Sequence, residues 1–95
     1  EPEIALDIVW PHLRMVNLKN ALWERTGPAG EPARWRPRWV AGRDGLASWP
    51  RVAAELTARR WNGVVCLTAE YDEHDAGERL VADDLRFAKG LFAGG

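Results

Sequence analysis

A glutamate that closes an apolar run is the first residue to weigh. Val64-Val65-Cys66-Leu67-Thr68-Ala69 carries no charge, and Glu70 follows it directly. A carboxylate at the end of a buried strand can serve as a general base. The plainer alternative is a solvated residue opening an acidic turn over residues 70–75. Asn17 and Lys19 sit two apart in a second apolar segment, so strand alternation puts them on one face with Met15. A lysine there offers a donor to sugar hydroxyls or a phosphate, or else reaches solvent from a strand end. The run Arg34-Trp35-Arg36-Pro37-Arg38-Trp39 interleaves cations with aromatic rings, a combination that stacks on bases or holds phosphates. Cys66 lacks a base beside it in sequence, and core packing suits it better than nucleophilic chemistry. His12 falls at the start of a strand pattern, and His74 lies in the turn Asp72-Glu73-His74-Asp75, which reads as a solvated turn rather than a metal site.

The elements that would position these residues alternate. Residues 3–10 read as a short helix with Ile4 and Ile8 one turn apart and Ala5 and Val9 beside them; Pro2 suits the first turn and Pro11 stops it. Residues 13–19 read as a strand with Val16 and Leu18 on the face opposite Asn17. Residues 20–47 read as a long loop rich in Trp, Arg, Pro and Gly, ordered by its tryptophans. Ser48 is the N-cap of a helix that runs to about residue 60, with Trp49, Val52, Ala53, Leu56 and Arg60 near one stripe; Asn62-Gly63 ends it. Residues 64–69 read as a strand buried on both faces, with Val64, Cys66, Thr68 and Glu70 on one of them. Residues 76–92 form a last helix with Val81, Leu85, Ala88 and Phe92 in register, and its acidic start and basic end suit the helix dipole. Helix, strand, helix, strand, helix implies parallel strands joined by right-handed crossovers.

Composition narrows the function classes. A chain of 95 residues is 46% hydrophobic and 28% charged, a globular balance. A net charge of −1 argues against nucleic acid or an anionic membrane as a partner drawn by the global field. A single cysteine in an apolar setting reads as a reduced, buried thiol, and with no apolar run of about eighteen residues and no signal-peptide pattern the expectation is a cytoplasmic protein. The sequence opens on Glu1, not on methionine, inside a helical pattern, so the expectation is processing, an imposed boundary or a missing upstream region rather than a natural start.

Two parallel strands cannot cover both faces of residues 64–69, so more sheet is expected beside them. Here the residues resemble a known family. Met15-Val16-Asn17-Leu18-Lys19-Asn20 is similar to the His-x-Lys-Asp strand motif of the xylose-isomerase-like sugar-phosphate isomerases and epimerases. The passage from Gly42 through Tyr71 resembles that family's next segment: a Gly-rich turn (Gly42-Arg43-Asp44-Gly45), a helix, an aromatic turn (Trp61-Asn62-Gly63), and an apolar strand ending at Glu70. The resemblance spans nearly the whole chain. It implies an α/β fold, with residues 1–95 as the C-terminal part of a (β/α)8 TIM barrel, from the helix before strand seven to the last helix.

In that family a Glu, an Asp, a His and a Glu on successive strand ends hold a divalent metal, and two glutamates move protons beside a sugar carbonyl. The resemblance places Glu70 at the last metal-binding and catalytic position, and Asn17 where the family has its metal histidine. An amide oxygen is a weaker ligand than imidazole for zinc-like metals. Asn20 replaces the family's aspartate, and the first two ligands have no counterpart in this sequence. The resemblance therefore implies Mn, Mg, Zn or Co in a complete enzyme and no site completed by this chain alone. The loop after strand seven often builds phosphate sites, which makes Lys19, Arg43 and the neighbouring Arg36 and Arg38 candidates to bind a sugar or sugar phosphate. The bland reading of the Arg/Trp run is a loop whose tryptophans pack over the barrel mouth. The expected function is a fragment of a metal-dependent sugar isomerase or epimerase, inactive by itself. The alternatives are a non-catalytic module that self-associates or binds a partner chain, and an anion- or nucleic-acid-binding loop built on the Arg/Trp run.

Overall fold

In the computed structural model, residues 2–73 and 76–93 are described. Helix α1 (Pro2–Val9) runs into a 3-10 turn (Trp10–His12), strand β1 (Met15–Leu18), an antiparallel pair β2 (Asn20–Thr26) and β3 (Arg34–Val40), helix α2 (Trp49–Ala58), strand β4 (Val64–Leu67) and helix α3 (Gly77–Phe92). The chain is mixed α/β. Strands β1 and β4 pair in parallel with Asn17 opposite Cys66, as the helix–strand alternation predicts.

Helices lie against one side of this sheet. Leu18, Trp49 and Ala88 form the buried centre, with Val16, Val65, Leu67, Phe87 and Phe92 around it. Trp49 stacks on Phe87 at 5.8 Å and its indole N–H donates to the Lys19 carbonyl at 3.2 Å. The other side of the sheet is open, contrary to the expected burial of both faces. Val64 is 59% exposed, Met15 is exposed, and the half-buried Cys66 donates its S–H to the Met15 sulfur at 3.6 Å. Two strands have no second layer to cover that side, and a two-stranded sheet is marginal by itself.

Residues 20–47 are not an irregular loop. They leave β1 as the β2–β3 hairpin, with Asn20 opposite Val40 and Thr26 opposite Arg34. Left-handed backbone at Gly27 and Gly30 turns the tip. Pro37 is tolerated because both strands of a ribbon are edges.

The helices carry three further corrections. Ile4 and Ile8 of α1 face outward; Leu6 is the buried residue, and Glu3 and Asp7 on the same side pair with Arg51 (2.7 Å) and Arg59 (2.6 Å) of α2. Ser48 caps α2 as predicted, accepting from the Arg51 N–H at 3.2 Å. Its far end, however, closes at Arg60, which takes the left-handed φ of 58°. Arg60 N–H donates to Thr57 O and Trp61 N–H to Leu56 O, the double bond pattern that satisfies the last carbonyls. Gly63 instead makes room for the Trp61 ring, which a Cβ there would overlap. In α3 the buried positions are Asp84 and Ala88, while Leu85 is exposed, so the inward face is turned by one residue from the expected stripe. No helix among the described residues is long and apolar enough to cross a membrane.

Candidate functional site

Asn17, Lys19 and Glu70 lie at or near the C-terminal ends of the parallel strands. Asn17 is on the open face, exposed. Lys19 follows the last residue of β1, and its ammonium sits 4.5 Å from the centre of the Trp39 ring. Strand β4 stops at Leu67, and Thr68 N–H still donates to Leu18 O at 3.2 Å. Ala69 then takes a left-handed φ of 51°. The direction of Glu70 is therefore set by that turn and not by the alternation of residues 64–69. A non-glycine residue in this conformation costs about 1–2 kcal/mol, and such strain tends to gather at functional positions. The Glu70 carboxylate is exposed and takes no hydrogen bond or ion pair among the described residues.

Arg43 goes elsewhere. Its guanidinium stacks on Phe87 at 4.0 Å, on the helix side of the sheet, in a groove shared with Asp44, Arg79, Asp83 and Arg86. The structure brings Asn17 and Lys19 to one strand end but joins Arg43 to α3. Arg36 is held by Glu24 at 3.1 Å across the hairpin. His12 lies in the 3-10 turn at the opposite end of β1, as expected. His74 and Asp75 of the acidic turn lie outside the described residues.

Two buried polar side chains that the sequence reading did not assign a structural role hold the loops around this end. Asn20 is 3% exposed and uses both ends of its carboxamide. Its NH2 donates to Gly42 O (2.9 Å) and Ala47 O (2.7 Å), and its oxygen accepts from Ala47 N–H (2.9 Å) and Ala21 N–H (3.0 Å). Gly45 packs so close that a Cβ would overlap this amide. Asn20 thus ties the base of the hairpin to the turn before α2, and no group is left over for a metal. Asp84 is 4% exposed; one oxygen accepts from Gly42 N–H at 2.9 Å and the other from the Tyr71 hydroxyl at 2.7 Å. Burial, and then the Asp84 carboxylate, push the Tyr71 hydroxyl well above the ordinary tyrosine range. A further pair of bonds, Trp39 N–H to the Asp72 carboxylate and Asp72 N–H to Trp39 O, fastens the loop after Glu70 to β3. The sequence signal for Asp84 was its place between Leu80 and Ala88 at four-residue spacing, an acid on an inward helix face.

Among the described residues no three of His, Cys, Asp and Glu converge. Asn17 and Glu70 would supply one amide oxygen and one carboxylate, whereas a divalent cation takes four to eight ligands. Compared with known proteins, the chain matches no family model, no curated protein and no solved structure.

Proposed function

We propose that this chain forms the last part of a (β/α)8 barrel of the sugar isomerase and epimerase type, and that Glu70 is the carboxylate it gives to proton transfer at the barrel mouth. The observation that carries the reading is the end of the parallel pair. A carboxylate without a partner among the described residues follows a left-handed Ala69 there, beside a strand whose open face carries Asn17 and leads to Lys19. Catalytic groups in such barrels sit at the C-terminal ends of the strands.

In this reading a sugar or sugar phosphate lies over the open end. Glu70 takes the proton from the carbon next to the carbonyl and the electron pair moves onto the carbonyl oxygen as an enediolate. A second acid then delivers a proton to the opposite face of that carbon to give the epimer, or a proton returns to the former carbonyl carbon while the hydroxyl proton passes to the other oxygen to give the isomer. Asn17 and Lys19 hydrogen-bond hydroxyls or a phosphate. Among the described residues, Glu70 and the Asn17 oxygen are those that would hold a divalent cation in such a barrel, and the cation would polarise the carbonyl. The test is proton exchange in D2O, followed by NMR, with the complete gene product, added Mn2+ or Mg2+, and fructose, ribulose and their phosphates. Deuterium should enter the carbon beside the carbonyl, and Glu70→Gln should slow it by about 10²–10⁴-fold. Exchange that survives Glu70→Gln within about threefold, or no exchange on any of these sugars, removes the reading.

The open sheet face favours a second reading, an interaction module. Met15 and Val64 are exposed there, and beside β4 a groove of about 380 Å³ is lined by Trp61, Val65, Leu67, Leu85 and Phe92. Sedimentation decides it: a folded, metal-free dimer that Val64→Lys dissociates supports the module, and a monomer without a partner opposes it.

A further inference from the structure

The outer part of the Arg/Trp run is not packed over the strand ends, although Trp39 meets Lys19 there. Trp23 is 62% and Trp35 60% exposed, each on a hairpin whose cross-strand pairs are Trp23 with Pro37 and Arg25 with Trp35. Positions two apart along each strand share a face, so Trp23, Arg25, Trp35, Pro37 and Trp39 lie together. Arg34, Arg36 and Arg38 fall on the reverse side. Trp23 and Trp35 are diagonal neighbours and form the two walls of an open cleft. Diagonal positions stand about 7–8 Å apart, and atoms in contact about 3.5–4 Å. Two indoles so placed admit one ring between them.

Charge narrows the occupant. Residues 20–40 hold four arginines against two glutamates, a net +2 in a chain whose total is −1. A second copy would set positive ribbon against positive ribbon. A nucleic acid strand would need a track of cations beside the rings, yet the three clustered arginines face away and Arg36 is occupied by Glu24. The aromatic face itself carries Arg25 at one end and Lys19, over Trp39, at the other. These two cations are separated by six residues, about 20 Å of strand. That spacing suits one or two acidic groups on a short chain of rings, not a polyanion.

We propose that the aromatic face of the hairpin binds an anionic glycoside, with one sugar ring between Trp23 and Trp35 and a phosphate or carboxylate on Arg25. The choice of sugar as the ring rests on the isomerase and epimerase reading. It deepens that reading, because a ring held here is about 13 Å of strand beyond Lys19, so the substrate carries at least one ring besides the reacting one.

The experiment uses the 15N-labelled chain and reads its six tryptophan indole N–H signals. Trp23→Phe and Trp35→Phe assign the two of interest, and the Trp49 signal, bonded to the Lys19 carbonyl, reports an intact fold. Trehalose 6-phosphate should shift the Trp23 and Trp35 signals saturably and trehalose far less. Arg25→Ala should weaken binding about tenfold, the loss of one charge-assisted hydrogen bond. Trp35→Ala should abolish it with the Trp49 signal unmoved. Signals that stay fixed, shifts that survive Trp35→Ala, shifts produced by protein concentration alone, or a preference for an oligothymidine over trehalose 6-phosphate each overturn the proposal. Proton exchange by the complete gene product is read separately from the indole shifts. Lost shifts therefore count against the cleft alone, and lost proton exchange with shifts intact counts against the enzyme reading alone.

Discussion

Replacing Asn20 by alanine should cost this chain a large share of its stability. The side chain is buried and fully used, with two donated and two accepted hydrogen bonds. Alanine removes all four and strands three distant backbone groups: Gly42 O, Ala47 O and Ala47 N–H. At about 1 kcal/mol for each lost bond, the expected loss is about 3 kcal/mol. A chain of this size has about 5–14 kcal/mol in total. In urea, with an m value of about 1–1.5 kcal/mol/M, the midpoint should fall by about 2–3 M. Hydrogen exchange gives the local counterpart: the Ala47 amide should lose its protection while those of β1 and β4 keep theirs. Asn20→Asp sharpens the argument, because aspartate is the residue the family resemblance expects at this position. The exchange sets a carboxylate oxygen where the NH2 now donates to two carbonyls, and its folded pKa must rise. A raised carboxyl pKa means that the folded state holds the proton more tightly. The variant's deficit should therefore be smallest below about pH 3.9, the unfolded value. It should grow as pH rises through that value and level off above the folded one. A loss of less than about 1 kcal/mol for Asn20→Ala, or a deficit for Asn20→Asp that does not change with pH, would refute the assignment of Asn20 as the tie between hairpin and turn.

Tyr71 should keep its proton when unfolded tyrosines lose theirs. Because its folded pKa is raised by burial and by Asp84, its contribution is fully present below about pH 10 and is lost as pH climbs beyond that toward the folded value. Phenolate absorbance followed against pH in wild type and Tyr71→Phe checks this, and a normal titration of Tyr71 would sink it. Arg60→Gly should stabilise the chain by about 1 kcal/mol, since glycine adopts the left-handed cap of α2 without the Cβ penalty. Thermal unfolding shifted downward by this substitution would show that the arginine side chain matters more than the backbone conformation.

What was legible in the sequence follows from where burial repeats with a period. Residues 64–67 form an uninterrupted apolar run, and Val16 and Leu18 stand either side of the polar Asn17, so both parallel strands and their order are legible. Ser48 announced α2 because a hydroxyl before a helix pattern has one common use there. The hairpin was hidden because neither of its strands buries a face. Arg34 to Trp39 alternates cation and ring, a period of two, but all of these side chains except the half-buried Trp39 are exposed, and Pro37 breaks the usual strand composition. The direction of Glu70 and the place of Arg43 escape the sequence for a related reason. Strand alternation stops at Leu67 because Ala69 turns the chain, and the Arg43 guanidinium, expected at the strand mouth, stacks on Phe87 on the other side. Asn20 and Asp84 lay outside periodicity altogether, because their role is to satisfy backbone groups more than twenty residues away. Such residues are visible in sequence only as polar side chains standing where an apolar one is expected. Asp84, between Leu80 and Ala88, meets that description; Asn20, at the end of a strand, does not, which is why the same residue can be read as a replacement for the family's aspartate in the sequence and as a backbone clamp in the fold.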